Sequence, residues 1–331
     1  MEKQSPAAPR SKVLAPVGAA AGKPDGLRQA SPHDPITSRD NKWLKAFRAA
    51  LRGSGPDTGE SISVEGPKLV EEAVRAGLEA EALLVSDTGE RELERILLAA
   101  SESDPGIPRS RILRASDKLF ASVAGTEAPQ GVAALFRQPE WTFEDVLRGA
   151  PSRDGALSGD VPLVVVLAGV QDPGNVGTIL RSAEAFGATG AVAARGTADP
   201  WSPKSVRASA GSSLRLPVLR GIALPILLAQ LRVAQVRIYS ASSNARAEGP
   251  EQKGRGVRTE GVRKTRAAAD LREASAIFIG SEGHGLPQEV EHASDAQISV
   301  PMSEAVESLN AAVAASIVLY EAARQRKLLR G

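Results

Sequence analysis

The chain has no cysteine among its 331 residues, which excludes disulfides, thiolate zinc sites and cysteine nucleophiles together. Aromatic residues make up only 3%, so the core must be built from Ala, Val, Leu and Ile. That scarcity argues against base stacking on an aromatic platform as the main way of holding nucleic acid. The histidines, His33, His284 and His292, are too few and too scattered to suggest a metal centre. No apolar run approaches the ~20 residues of a membrane span. No Gly-x-Gly-x-x-Gly fingerprint and no Gly-Lys-Ser/Thr phosphate loop is present, which removes the usual sequence signatures of dinucleotide and P-loop nucleotide sites. Excess charge is small as well: the formal net charge is +2, which permits a nucleic-acid partner without demanding one.

The composition that remains is that of a soluble globular chain, long enough for about two domains. Residues 1–40 mix Pro, Ala, Ser and Gly with little periodicity, and prolines at 6, 9, 16, 24, 32 and 35 oppose an amphipathic helix. A disordered tail on a cytoplasmic protein is expected there. Residues 41–137 read as a small α/β domain. Leu44, Phe47 and Leu51 fall at helical spacing, Ser61–Val64 alternates as a strand, and Pro67 suits the first turn of a helix over 67–77. A buried strand at Ala82–Val85, a helix over 90–100 and a closing strand at Gln130–Phe136 follow.

Residues 138–160 have the Pro, Gly, Ser and charge of a linker. The unbroken apolar run from Val161 to Leu167 then opens a second domain, 161–331, as a strand covered on both faces. Strands near 190–194, 216–219, 235–240, 276–280 and 297–300 alternate with helical stretches, which predicts a mainly parallel sheet flanked by helices. The last helix, about 307–328, places Leu309, Val313, Ile317 and Tyr320 on one side. Between Arg246 and Arg266 lies an irregular insertion with seven Lys/Arg and three Glu. It reads as a solvated insertion, and a basic flap that closes on an RNA backbone is compatible with the same residues.

Three segments place small or polar residues just past expected strand ends, the edge where open α/β sheets bind ligands. In Gln171–Gly187, Pro173-Gly174 turns, Asn175 is placed to cap a helix, Arg181 follows six residues later, and Gly187 ends the helix. In Gly280-Ser281-Glu282-Gly283-His284-Gly285-Leu286, three glycines in six positions allow close backbone approach to a ligand. His284 reads as a loop residue there. In Val300-Pro301-Met302 through Ser308-Leu309-Asn310, a proline turn brings Ser308 and Asn310 to the same rim. Each segment alone is also explained by ordinary helix capping or a surface turn.

In this order, the segments resemble motifs 1, 2 and 3 of the SpoU (TrmH-like) family of RNA 2′-O-ribose methyltransferases in the SPOUT superfamily. Pro203–Gly211 is similar to that family's stretch between motifs 1 and 2. Val64–Val70 and Gly125–Val132 are similar to the family's substrate-binding domain. The resemblance implies an α/β fold with a deep trefoil knot, preceded by a small L30e-like α/β domain. It also implies a homodimer and S-adenosylmethionine as cofactor, held by Ser240, Ala241, Gly280, Val300 and Leu309. Asn175, Arg181, Glu282, Ser308 and Asn310 are the catalytic set it implies, with Arg181 proposed in the family to activate the 2′-hydroxyl. Arginine is effectively always protonated, so Arg181 is expected instead to grip the adjacent phosphate and stabilise the developing oxyanion. Lys68, Arg75, Lys204 and Arg207 are candidates for RNA backbone contact. The family usually has glycine where this chain has Glu304. A non-catalytic RNA-binding protein of the same fold is the competing expectation, and the RNA, ribosomal ahead of transfer, is not fixed by these motifs.

Overall fold

The computed structural model describes residues 35–53, 61–101, 107, 111–150, 161–242, 269–303 and 308–328. Residues 1–34 of the expected tail, the basic insertion 246–266 and Glu304 lie outside the described residues. Pro35–Asp40, assigned to that tail, are described, and Ile36 forms an isolated parallel bridge to Ala115.

Strands β1 (Ser61–Glu65), β2 (Ala80–Ser86), β3 (Ile112–Ala115) and β4 (Val132–Arg137) form one sheet in the order β1-β4-β2-β3. Strand β4 runs antiparallel to β1 and β2, while β2 and β3 are parallel. The period-two alternation of side chains divides this sheet between two cores. Ala82, Leu84, Ala133 and Leu135 pack with Leu44, Phe47, Leu51 and Phe120 from helices α1 (Lys42–Arg52) and α4 (Asp117–Ala121). On the other face Leu83, Val85, Ala134 and Phe136 meet Val70, Val74, Leu93 and Ile96 from α2 (Pro67–Arg75) and α3 (Glu90–Ser101).

The stretch expected as a linker contains a helix, α5 (Phe143–Arg148). Thr142 and Asp145 close a capping box at its start, and the fully buried Val146 seats it on the second sheet. A charged, proline-flanked sequence concealed this short helix, because only one of its turns faces the core.

The second sheet is six-stranded and wholly parallel among the described residues, in the order β10-β8-β9-β5-β6-β7. Its strands are β5 (Leu163–Ala168), β6 (Gly190–Ala194), β7 (Val218–Ile222), β8 (Arg237–Ser242), β9 (Ser275–Gly280) and β10 (Ala296–Ser299). Val164 and Val166 of β5 face α5, α9 (Leu224–Val233) and α10 (Gln288–Ala293). Leu163, Val165 and Leu167 face α6 (Pro173–Ala185), α8 (Ser212–Arg215) and α11 (Ala311–Gln325). The cluster on this second face continues into α2 and α3 of the small domain. One apolar core therefore joins both sheets.

Two contacts fix the helices that carry the motifs. Helix α6 crosses α7 (Pro203–Ala208) so closely that a Cβ on Gly177 would lie 2.3 Å from the Ser205 carbonyl oxygen and 2.7 Å from Ala208 Cβ. Beyond the end of α11, the Arg326 guanidinium donates to four backbone carbonyls, those of Val161, Pro162, Leu271 and Glu273. Burial pushes its pKa below the usual arginine value. Replacing Gly177 with Ala isolates the first contact, since helix propensity alone favours Ala by about 1 kcal/mol, whereas overpacking costs about 1–3 kcal/mol. Urea unfolding is expected to show Gly177→Ala less stable than the parent, and a variant about 1 kcal/mol more stable, as helix propensity alone would give, would rule out so close a crossing.

Candidate active site

The ends of parallel strands project loops to one edge of the sheet, and three such loops enclose a cavity of about 420 Å³. Its lining includes Ser240 and Ala241 from β8, Gly280 from the end of β9, Val300 just past β10, and Leu309 and Ala311 at the start of α11. All five residues expected to hold the cofactor thus meet in one place. The volume lies within the range of about 300–1,000 Å³ typical of small-molecule sites. A larger groove of about 840 Å³ on the small domain, between Ile36 and the ends of β2 and β3, carries none of the expected site residues.

The middle loop is shaped by its own backbone. Ser281 and Gly285 exchange both hydrogen bonds, at 3.1 and 3.0 Å, and Gly285 takes φ +67°. A Cβ on Gly280 would lie 2.4 Å from the Gly285 carbonyl, so the loop doubles back over a position that only glycine fits. This turn presents Glu282 to the other two motifs. Its Oε1 accepts from Asn175 Nδ2 at 2.9 Å, from Asn310 Nδ2 at 2.7 Å and from the Ala311 amide at 3.3 Å. Asn310 Nδ2 also donates to Asn175 Oδ1 at 3.1 Å. The Asn310 Oδ1 accepts from the Ala312 and Val313 amides, so the same side chain caps α11.

The cap expected at Asn175 is supplied by Asp172 instead. Asp172 Oδ1 accepts from the Asn175 amide at 2.9 Å, which leaves the Asn175 side chain free to reach Glu282. Lys204 Nζ donates to the other Asp172 oxygen at 2.7 Å. That hydrogen bond and the one from the Asn175 amide hold the Asp172 carboxyl below the usual aspartate value. The Asp172-Pro173 pair was the available signal, an N-cap residue followed by proline at the first helical position.

Arg181 stands on the exposed ridge of α6, in step with Asn175 and Thr178 at three-residue intervals. It has no hydrogen bond or ion pair among the described residues, so its donors are available to an incoming anion. Arg181 does not line the cavity, whereas Ser308, His284 and Glu291 do. The place of Glu291 was not evident from sequence, because its register on α10 becomes meaningful only once β10 is paired with β8.

The four candidate RNA contacts differ in availability. Lys68 and Arg207 are exposed with no ion pair among the described residues. Lys204 is committed to Asp172, and Arg75 is bound by Glu71 through Nε at 3.0 Å and Nη2 at 2.9 Å.

Comparison with known proteins places this geometry. Residues 162–320 match the model of the SpoU rRNA Methylase family, and 57–134 match an MRM3-like substrate binding domain. The 23S rRNA (guanosine(2553)-2′-O)-methyltransferase RlmP of Bacillus subtilis is 31% identical over 86% of this chain and 97% of its own length. An uncharacterised tRNA/rRNA methyltransferase of Mycolicibacterium gilvum is 33% identical over 90% of this chain and 86% of its own. Among solved structures, an AdoMet-bound rRNA methyltransferase from Sinorhizobium meliloti superimposes with a TM-score of 0.67 at 26% identity, covering 90% of this chain and 99% of that one.

A double-mutant cycle tests the junction of the three loops. Asn310→Ala removes both the α11 cap, worth about 1 kcal/mol, and the Glu282 contact, and pairing it with Glu282→Ala separates the two. A coupling of about 0.5–1 kcal/mol is expected in chemical denaturation, modest because the pair is solvent-exposed. Strict additivity would show that the contact contributes nothing.

Proposed function

The chain belongs to the SpoU rRNA methylase family, and from that premise we propose that it methylates a ribose 2′-hydroxyl of structured RNA, with ribosomal RNA as substrate. It is a methyltransferase, and its cofactor is S-adenosylmethionine. The observation that carries the ribose assignment is the joining of Asn175, Glu282 and Asn310 beside a cavity lined by the five expected cofactor residues.

The cofactor, when bound, supplies a methyl group already activated on a sulfonium. Ser240, Ala241, Gly280, Val300 and Leu309 hold it where their loops enclose the cavity. Glu282 fixes the Asn175 amide, and Asn310 locks both to the start of α11. Ser308, at the cavity wall, completes the pocket. Arg181 meets the substrate from outside with the planar donor fork suited to phosphate. Its permanent charge lowers the cost of negative charge building on the ribose oxygen, and the hydroxyl proton passes to solvent water at this exposed ridge, not to Arg181. Lys68 and Arg207 offer free cations for the RNA backbone, and Lys204 and Arg75 join them where phosphate displaces their carboxylate partners.

The finer architecture follows the same family reading. We take the small domain as L30e-like and the second domain as closing in a trefoil knot. Strand β10 lies outside β8 at the sheet edge, yet α11, which follows it, packs on α6, an arrangement consistent with that knot. A homodimer is supported by Val313, Ile317 and Tyr320, spaced one turn apart on α11 and 48%, 41% and 48% exposed. This stripe lies beside Phe186, whose ring meets Tyr320 edge-on at 5.8 Å, and a second copy of the chain would cover it. Among the described residues no helix is long and apolar enough to cross a membrane. The cytoplasm is proposed as its location from the family reading.

Arg181→Lys is expected to lower kcat about 10²-fold with cofactor affinity unchanged by calorimetry, and a variant retaining most of its turnover would refute the planar role. Mapping 2′-O-methyl groups across total RNA with and without the gene should reveal a missing ribosomal mark. A loss confined to transfer RNA would reassign the substrate. Ile317→Glu is expected to give a monomer by light scattering, against a dimeric parent.

A further inference from the structure

Arg215 is not one of the expected site residues, but it sits where the small domain meets the second domain. It ends α8, between α6 of the catalytic domain and α2 of the small domain. Its Nε and Nη2 donate to Glu184 Oε1 and Oε2 at 2.7 and 2.8 Å, a bidentate pair, and its Nη1 donates to Glu72 Oε2 at 2.8 Å. Glu184 lies three residues beyond Arg181 on α6, and Glu72 lies one turn beyond Lys68 on α2. One rigid guanidinium therefore spans the helix that presents the catalytic arginine and the helix that presents a free cation for RNA.

The surroundings keep this fork in place. Ala210 and Gly211 both take positive φ, +49° and +88°, turning the chain sharply from α7 into α8. A Cβ on Gly211 would meet Arg215 Nη1 at 3.1 Å, Glu72 Cβ at 3.5 Å and Leu69 Cδ2 at 3.7 Å, so the turn presses directly on α2. Beneath it Leu69, Val70, Val176, Leu180 and Leu214 belong to the apolar core shared by the two domains. Burial alone would raise the Glu184 carboxyl, but hydrogen bonds from Arg215 and Ser212 outweigh it and leave its pKa lowered.

We propose that Arg215 is a positioning residue, which fixes the angle at which RNA carried by the small domain meets Arg181. This rests on the function proposed above. The small domain is then a fixed jig, and the planar fork matters because a lysine ammonium, a single point charge, cannot hold two carboxylates in one plane.

The absence of cysteine makes a direct test simple. Spin labels on Leu98→Cys and Ile226→Cys, both exposed and one on each domain, report the interdomain distance. The parent should give one narrow distribution, and Arg215→Lys and Glu72→Gln should broaden it. In the same variants kcat on structured RNA should fall about tenfold, since small misplacements are costly in oriented reactions, while cofactor affinity stays unchanged. Broadening with unchanged kcat, or lost kcat with an unchanged distance, would each overturn the proposal, as would no effect at all. A parent that binds the cofactor but methylates no RNA would count against the function itself, and the distances would still decide whether the fork sets the angle.

Discussion

A single carboxylate oxygen holds together three chain segments that the sheet alone would leave as separate loops. Glu282 Oε1 takes donors from the start of α6, from the start of α11 and from the Ala311 amide. Parallel strands deliver all their loops to one edge but do not specify how those loops pack against one another. The Ser281–Gly285 turn solves half of this problem by aiming Glu282, and the caps of α6 and α11 solve the rest. Because Asp172 takes over the capping of α6, the Asn175 side chain is released for the junction. The cavity proposed for the cofactor forms beside these ties, lined by the loops after β9 and β10, the end of β8 and the first turns of α11.

The division between that cavity and Arg181 has a chemical logic. A methyl transfer from a sulfonium requires a closed pocket for the donor and an open, charged approach for a polyanion. On the function proposed above, residues from β8, β9, β10 and the start of α11 would provide the pocket, and the exposed ridge of α6 would provide the approach, with Arg181 unpaired among the described residues. A fixed positive charge in such a place works through preorganisation, since its donors need not be stripped from a neighbouring carboxylate before substrate arrives.

Much of this was legible in sequence wherever local pattern and long-range structure agree. The apolar run of β5, the strand spacing of the second domain and the three ordered loop motifs all show themselves as patterns along the chain, without need of the pairing between distant segments. Helix α5 did not, because it is short and shows the core only Val146. Strand β3 was equally hidden, since Ile112–Ala115 is only four residues long, carries Arg114, and is recognised only through its pairing with β2. On α11 the stripe Val313, Ile317 and Tyr320 was seen as one side of the helix, yet the core side is the one carrying Ala312, Ala315, Val318, Leu319 and Ala322. Two apolar stripes on one helix do not say which faces the core, and only the packing of α11 against α6 decides it. Arg215 was illegible for a different reason, because its partners are 31 and 143 residues away.

The grip of Arg326 bears on the order in which this protein can be built. Its carbonyl partners Val161 and Pro162 are made 165 and 164 residues before it. During synthesis all of the chain from β5 to α11 must therefore emerge before this latch can close. Contacts of such long separation close slowly, after the chain between them has lost its freedom. Until then the nascent domain offers an unfastened edge, and the meeting of Arg326 with these carbonyls becomes the step that commits it to the native state.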